Sequence, residues 1–427
     1  MQNRVQKKKK ISLTTMIFIA LLAGALTGVI INYLIPSNYV VDDIIVQGVF
    51  YIVGQGFIRL MRMLVVPLVF CSIVCGSMAV GDTKKLGSVG VKTLIFYLCT
   101  TALAITVALT IANIFNPGKG LDMSQIQVTS TVSETTQSMG MTETLLDIIP
   151  VNIFNSLSEG NMLQIIVFAL ILGVILANMG DRVDIVKNFF GQFNDIMMEM
   201  TMAVMKLAPI GVFCLIAKTF AEIGFEVFIP LLKYMFCVLL ALAVQCFVVY
   251  LGLLKTFSGL NPFIFIKNFF PVMAFAFSTS TSNATIPMNI DTLAEKMGVS
   301  KKISSFTIPL GATINMDGTS IMQGVAVVFT AQAFGIPLDM MDYLTVIGTA
   351  TLASIGTAGV PSVGLITLTM VFNSVGLPIE GIALIMGIDR ILDMTRTAVN
   401  ITGDAVCTTI VASWNKAVDR DVYYNRK

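Results

Sequence analysis

The chain has 427 residues, 56% of them hydrophobic and only 12% charged, and Lys plus Arg at 27 against Asp plus Glu at 25 leave a formal net charge of +2. Soluble domains carry about 25% charged residues, so this composition, with a mean hydropathy of +0.85, excludes a soluble globular protein. Histidine is absent and the seven cysteines lie in apolar runs without CxxC spacing, which argues against a zinc site or a disulfide framework.

Arg4 and Lys7 to Lys10 precede an uncharged run from Ile11 to Ile35, a basic cluster abutting a stretch long enough to cross a bilayer. Charge-poor runs near 11–35, 44–81, 93–116, 160–180, 197–221 and 234–254 give six spans of about twenty residues or more. The second is over-long and contains Arg59 and Arg62, and the fifth is weakly apolar with Glu199 and Lys206. Both are expected to tilt or to face protein.

After Lys255 the pattern changes. The 37 residues from Tyr343 to Ile379 carry no charge, and their centre reads TLASIGTAGVPSVG. That is too long for one span and too rich in Gly, Ser, Thr and Pro for a plain helix. It predicts a re-entrant hairpin, whose irregular tip is tolerated at membrane depth only inside protein or beside a wet cavity. FAFSTSTSNATIP, residues 275 to 287, predicts an earlier twin. Between them GATINMDGTS, residues 311 to 320, predicts a helix that unwinds at its middle and resumes, and a final helix is expected over about 378 to 415.

The distribution of basic residues supports this count. With the N-terminus inside and both hairpins returning to their side of entry, the loops with Lys84, Lys85 and Lys92, with Arg182 and Lys187, with Lys255 and Lys267, and with Lys296, Lys301 and Lys302 all fall inside, as does the tail from Lys416. Asp42 and Asp43, Glu143 and Asp147, Glu222 and Glu226, and Asp339 and Asp342 fall outside. Eight spans plus two hairpins therefore satisfy the positive-inside bias, with both termini cytoplasmic.

In the last helix Asp389, Asp393, Arg396, Thr397, Asn400 and Asp404 share a stripe about 100° wide at 100° per residue. Each charge placed inside a membrane costs about 2.5 to 3.5 kcal/mol on insertion scales. Asp317, Asp389, Asp393 and Asp404 outnumber Arg390 and Arg396, a surplus that mobile cations could neutralise. The neighbouring Asn315, Asn400 and Thr313 add hard oxygen ligands, which suit alkali or alkaline-earth ions. A guanidinium among these acids can grip a carboxylate, and a carboxylate one turn away can receive an ammonium. Together they describe a site for a zwitterion with an acidic side chain.

STSTSNATIP, GATINMDGT, ASIGTAGVPS and DRILDMTRTAVNITGDAV, in this order, resemble the glutamate transporter family of dicarboxylate/amino acid:cation symporters, and the likeness runs over essentially the whole chain. The resemblance implies an all-α polytopic membrane protein with eight transmembrane helices, two re-entrant hairpins, inverted repeats and an elevator-type motion. It divides the chain into scaffold spans in 1–92 and 117–225 and a moving domain made of 93–116 and 226–427, the hairpins lying near 260–293 and 343–376. It also implies a homotrimer in the plasma or inner membrane, no enzymatic activity and no organic cofactor.

By the same resemblance Arg396 binds the substrate's side-chain carboxylate and Asp393 its α-amino group, with Thr397 beside the amine. Asn400, Ser282 and the second tip, with Val360 and Gly364, hold the α-carboxylate, and Thr319 lines the side-chain end. One co-transported sodium ion would use Asp404, Asn315, Asn400 and Gly311; a second Met316, Thr313, Ser354, Ile355 and Thr357; a third Tyr97, Thr100, Thr101, Asn315 and Asp317. Arg396 favours acidic over neutral substrates, Asp393 favours an amino acid over a plain dicarboxylate, and Gln245, where proton- and potassium-coupled relatives carry a glutamate, favours sodium alone. A proton-coupled C4-dicarboxylate or neutral amino-acid symporter is the alternative within the family.

Overall fold

The computed structural model describes residues 13–81, 88–121, 149–224, 228–355 and 363–424. Among these the chain is almost wholly helical, and the one β-bridge, Val299 with Val418, is isolated. The helices are α1 (Leu13–Leu34), α2 (Tyr51–Gly81), α3 (Ser88–Phe115), α4 (Ile153–Glu159), α5 (Met162–Met179), α6 (Asp184–Met205), α7 (Ala208–Ile223), α8 (Phe228–Ala243) and α9 (Leu251–Ser258). They continue with α10 (Pro262–Thr279), α11 (Ser282–Met297), α12 (Lys301–Ile314), α13 (Asp317–Ala333), α14 (Met340–Ser354), α15 (Val363–Ser374), α16 (Gly381–Trp414) and α17 (Arg420–Tyr423). Six helical stretches among the described residues are long and apolar enough to cross a membrane. Some of these join neighbouring elements, such as Phe228–Ser258, where α8 and α9 are linked by a π-helical run, Val244–Tyr250.

Several expected boundaries move. The fifth run, read as 197–221, begins at Asp184 and is two helices with a turn at Lys206 and Leu207, where Pro209 in the first turn of α7 restarts the helix. The second run, read as 44–81, opens in a π-helical segment, Val40–Phe50, before α2 begins at Tyr51. The periodicity of apolar residues marks neither.

Two places show how small residues let helices close up. Gly24 and Gly28, four apart on α1, face α7, and a β-carbon on Gly24 would lie 2.7 Å from Phe213 O. This is the small-xxx-small spacing by which membrane helices bring their backbones together. Gly173 on α5 abuts Ser77 and Val74 of α2 in the same way.

The helix–turn–helix expected near 275–287 is α10 followed by α11, joined through Ser280 in the left-handed region (φ 51°) and extended Thr281. Asn268 Nδ2 donates to Lys296 O at 3.3 Å, which places the start of α10 beside the end of α11 and makes the pair antiparallel. The second such pair is α14 and α15, and its connection, 356–362, lies outside the described residues. A reciprocal capping box, Asp339 with Asp342, starts α14.

The expected interruption near 311–320 is present. α12 ends at Ile314, Asn315 and Met316 leave helical geometry, and α13 restarts at Asp317, whose carboxylate suits a helix N-terminus. Every residue from Ile314 to Ala331, through most of α13, and from Arg396 to Ala412 on α16 is buried. These two stretches are enclosed on all sides, so their polar groups must be satisfied by one another or by a ligand.

At the end of α16 the chain doubles back. Ser300 N donates to Ala417 O and Asp419 N to Gly298 O. Arg420 Nη2 reaches Ser258 O at 3.3 Å and the Tyr423 hydroxyl reaches Asn261 O at 2.9 Å. This strap ties the start of α10 and the α11–α12 connection to the residues after α16. Burial holds the Tyr423 phenol above its ordinary titration range.

Candidate functional site

The site is built on α16 where it faces α13. Arg396, 1% exposed, lies one and two turns from two acids on its own helix. Its Nη1 donates to Asp389 Oδ1 at 2.6 Å and its Nη2 to Asp393 Oδ1 at 2.8 Å. Spacings of seven and three put all three on one face. The Nε of Arg396 is buried without a partner among the described residues, so the guanidinium keeps a donor in reserve. Thr397 lies beside this group, its hydroxyl donating to Asp393 O at 2.8 Å.

Two other helices close on the guanidinium. A β-carbon on Gly364 of α15 would lie 3.3 Å from Arg396 Nη2 and 3.1 Å from Thr319 Cγ2 of α13. Gly318 approaches so closely that its β-carbon would lie 2.8 Å from Arg396 O. Glycine at 318 and 364 is therefore a packing requirement at this crossing.

One turn further along α16, Asn400 locks onto the interrupted helix. Its Oδ1 accepts from Gly318 N at 2.7 Å and its Nδ2 lies 3.3 Å from Met316 Sδ. Asn315 Nδ2 donates to Asp404 Oδ1 at 2.8 Å and to Asn400 O at 3.2 Å. Asn315 Oδ1 is buried with no hydrogen-bond partner among the described residues. A buried carbonyl left this way costs about 1–3 kcal/mol, which a cation at that oxygen would remove. A β-carbon on Gly311 would meet Asp404 and lie 2.6 Å from the Tyr97 hydroxyl, so α3, α12 and α16 converge there.

A second acid is held apart from the first. Asp317, fully buried, accepts from Thr101 Oγ1 at 2.6 Å, Gln245 Nε2 at 3.0 Å and the Tyr250 hydroxyl at 2.8 Å. Among the described residues neither Asp317 nor Asp404 has a Lys or Arg at ion-pair distance, whereas Asp389 and Asp393 share Arg396. Two acids thus stand without a basic counter-charge in a dry setting. That arrangement favours a partner arriving from outside.

Most residues singled out from the sequence come together here: Arg396, Asp393, Thr397, Thr319 and Gly364 in one group, and Asn400, Asn315, Met316, Asp404, Gly311 and Tyr97 in the next. Thr101 and Asp317 meet in the third, with Thr100 carrying its hydroxyl to Tyr97 O and its carbonyl toward Gln245 at 3.4 Å. Ser282 is buried at the first residue of α11, which packs on α16 through Asn289 Nδ2 at 3.5 Å from Ile401 O. The Thr313 hydroxyl donates to Leu310 O and that of Ser354 to Thr351 O, and Ile355 beside Ser354 is buried. Thr357 and Val360 lie outside the described residues.

Three participants were given no such role by the sequence reading: Asp389 as a holder of Arg396, and Gln245 with Tyr250 as donors to Asp317. The last two are five apart, which separates them on an α-helix. In the π-helical run Val244–Tyr250, where bonding is i to i+5, residues five apart share a face.

Comparison with known proteins gives the family. The model of the sodium:dicarboxylate symporter family matches residues 13–414. The proton/sodium-glutamate symport protein of Bacillus caldotenax is 39% identical over 411 residues, 95% of each chain. The proton/glutamate-aspartate symporter of Escherichia coli (strain K12) is 36% identical over 422 residues, 97% of this chain and 95% of the relative. C4-dicarboxylate transport protein 1 of Ralstonia nicotianae is 32% identical over 409 residues, 95% and 93% of the two chains. With an enclosed acidic site on a multi-pass helical frame and a match from one end of the frame to the other, the chain belongs to the sodium:dicarboxylate symporter family.

Proposed function

We propose that this protein is a secondary active symporter that imports an acidic amino acid, aspartate or glutamate, with sodium ions. The observation that carries the reading is the pairing of a fully buried Arg396, flanked by Asp389 and Asp393, with two acids, Asp404 and Asp317, that lack basic partners. Arg396 takes the side-chain carboxylate bidentately. Asp393 lets go of Nη2 and receives the α-amino group, while Asp389 keeps the guanidinium in place. Asn400, Ser282 and the connection between α14 and α15 receive the α-carboxylate.

Sodium neutralises the surplus acid. Asp404 with Asn315 Oδ1, Asn400 and the carbonyl of Gly311 forms one oxygen set, and Asp317 with Thr101, Thr100 and Tyr97 another. The sulfur of Met316 with backbone at 313, 354, 355 and 357 forms a third. Ions at Asn315 fix the bend between α12 and α13, and Gly318 N is held to Asn400 from the same bend. Cation loading and substrate binding therefore share one structural element, which is the physical basis for coupling.

The architecture we infer has eight spans and two re-entrant hairpins, α10–α11 and α14–α15, with both termini cytoplasmic. Spans 1, 2, 4 and 5 form a scaffold that trimerises, and the rest moves as an elevator across the bilayer. The alternative reading is proton coupling or a C4-dicarboxylate cargo, favoured by the names of the relatives from Escherichia coli and Ralstonia nicotianae. Asp393, which suits an amine, and Gln245, whose amide does not titrate, weigh for the first reading.

Radiolabelled aspartate uptake into proteoliposomes, driven first by a sodium gradient and then by a pH gradient, decides between them. Uptake that needs sodium and is competed by glutamate but not by succinate or serine is the expected result. Uptake driven equally well with choline in place of sodium overturns the sodium reading.

A further inference from the structure

The packing beside Arg396 involves three residues with no role so far, Met322, Gln323 and Thr367. Gly364 is the second residue of α15, and a β-carbon on it would lie 3.1 Å from Met322 Cε, 3.1 Å from Thr319 Cγ2 and 3.3 Å from Arg396 Nη2. A thioether methyl and a guanidinium nitrogen thus flank one small volume that only a glycine leaves open. Met322 is three residues after Thr319 on α13, so the two share a face. It is fully buried.

The wall is also fixed from behind. Gln323 Nε2 donates to Thr367 Oγ1 at 2.8 Å, and that hydroxyl donates to Gly364 O at 3.2 Å. Both side chains are buried. The residue next to Met322 therefore pins the backbone of Gly364 against α13, which fixes the approach of Gly364 to Met322.

We propose that Met322 is a specificity-determining residue: its terminal methyl is the end stop that gauges the length of an acidic side chain reaching Arg396, with Gln323 and Thr367 as positioning residues. This rests on the reading in which Arg396 holds that carboxylate. Aspartate and glutamate offer the same α-amino and α-carboxylate anchors and differ by one methylene. With those anchors fixed, the extra methylene drives the longer side chain into the wall, and an aliphatic wall discriminates one methylene by about tenfold or more. Met322, being unbranched, fills the space without presenting a polar group that would compete for the guanidinium.

The test is the ratio of glutamate to aspartate half-saturation constants in proteoliposomes for the wild type, Met322→Val and Met322→Ala. The ratio is expected to fall toward glutamate in that order, by about tenfold for the alanine. Gly364→Ala is expected to weaken both substrates, and Gly364→Ala combined with Met322→Ala to recover aspartate uptake, because the methyl lost at 322 makes room for the one gained at 364. A ratio unchanged in a valine or alanine variant that still transports aspartate overturns the proposal, as does a Gly364→Ala defect that the second substitution does not relieve. Arg396→Cys separates the two levels: retained aspartate affinity there sinks the underlying reading, whereas lost affinity with an unmoved Met322 ratio sinks this inference alone.

Discussion

Gln245 and Tyr250, five residues apart, donate to the same carboxylate oxygen of Asp317, at 3.0 and 2.8 Å. The π-helical run brings both to one face. Tyr250→Phe removes one of three donors from a buried acid, a loss of about 1.5–3 kcal/mol for a bond to a charged group. It is expected to lower thermal stability in detergent and to move the sodium titration of uptake, with little change in aspartate affinity at saturating sodium. A sodium titration superimposable on wild type would detach Asp317 from ion binding.

Arg396→Cys is expected to abolish aspartate uptake and to spare or create uptake of neutral amino acids, measured by competition against radiolabelled serine. It also removes the guanidinium that Asp389 and Asp393 share, and breaking a buried pair in this way costs about 3–5 kcal/mol. The melting temperature of the purified variant should fall accordingly. Unchanged aspartate affinity would count against the assignment.

Asp404→Asn retains an acceptor for Asn315 but removes the charge. The sodium concentration for half-maximal uptake is expected to rise about tenfold or more, equal to about 1.4 kcal/mol of lost ion binding. Aspartate binding at saturating sodium should survive. An unaltered sodium curve would exclude Asp404 as a ligand.

Gly298 sits at φ 65°, and a β-carbon on it would collide with Asp419 O of the strap. Gly298→Ala is expected to cost more than about 1 kcal/mol. Gly348, helical and with open space where its β-carbon would go, is the control: Gly348→Ala is expected to be neutral or stabilising by up to about 1 kcal/mol. Thermal unfolding of the two proteins side by side reads the difference.

The polar stripe from Asp389 to Asp404 was legible because charge inside a long apolar run has few explanations. The bend at Asn315 and Met316 was legible because glycine and a lone acid interrupt the same kind of run. The turn at Ser280 was legible as a polar break, although a serine rather than a glycine takes the left-handed conformation there. The π-helical run at Val244–Tyr250 was not, since its residues are apolar or neutral and only the position of Asp317, more than sixty residues on, reveals why Gln245 and Tyr250 must align. Asp389 was visible as a charge, but its hold on Arg396 depends on a guanidinium rotamer that spacing does not set. The break at Lys206 and Leu207 left a single hint in Pro209, too near a new helix start to be told from an ordinary kink.

The pairing of Gly298 and Ser300 with Ala417 and Asp419, and of Asn261 with Tyr423, has a consequence for biogenesis. The base of α10 and α11 is finished by residues made about 120 to 160 positions later, so while the ribosome is still adding α13 to α16 that base has no lid. Insertion can proceed in order, yet this corner closes only after residue 423 has left the ribosomal exit tunnel. Nascent chains halted before that point should carry an α10–α11 base open to proteases that the completed protein resists.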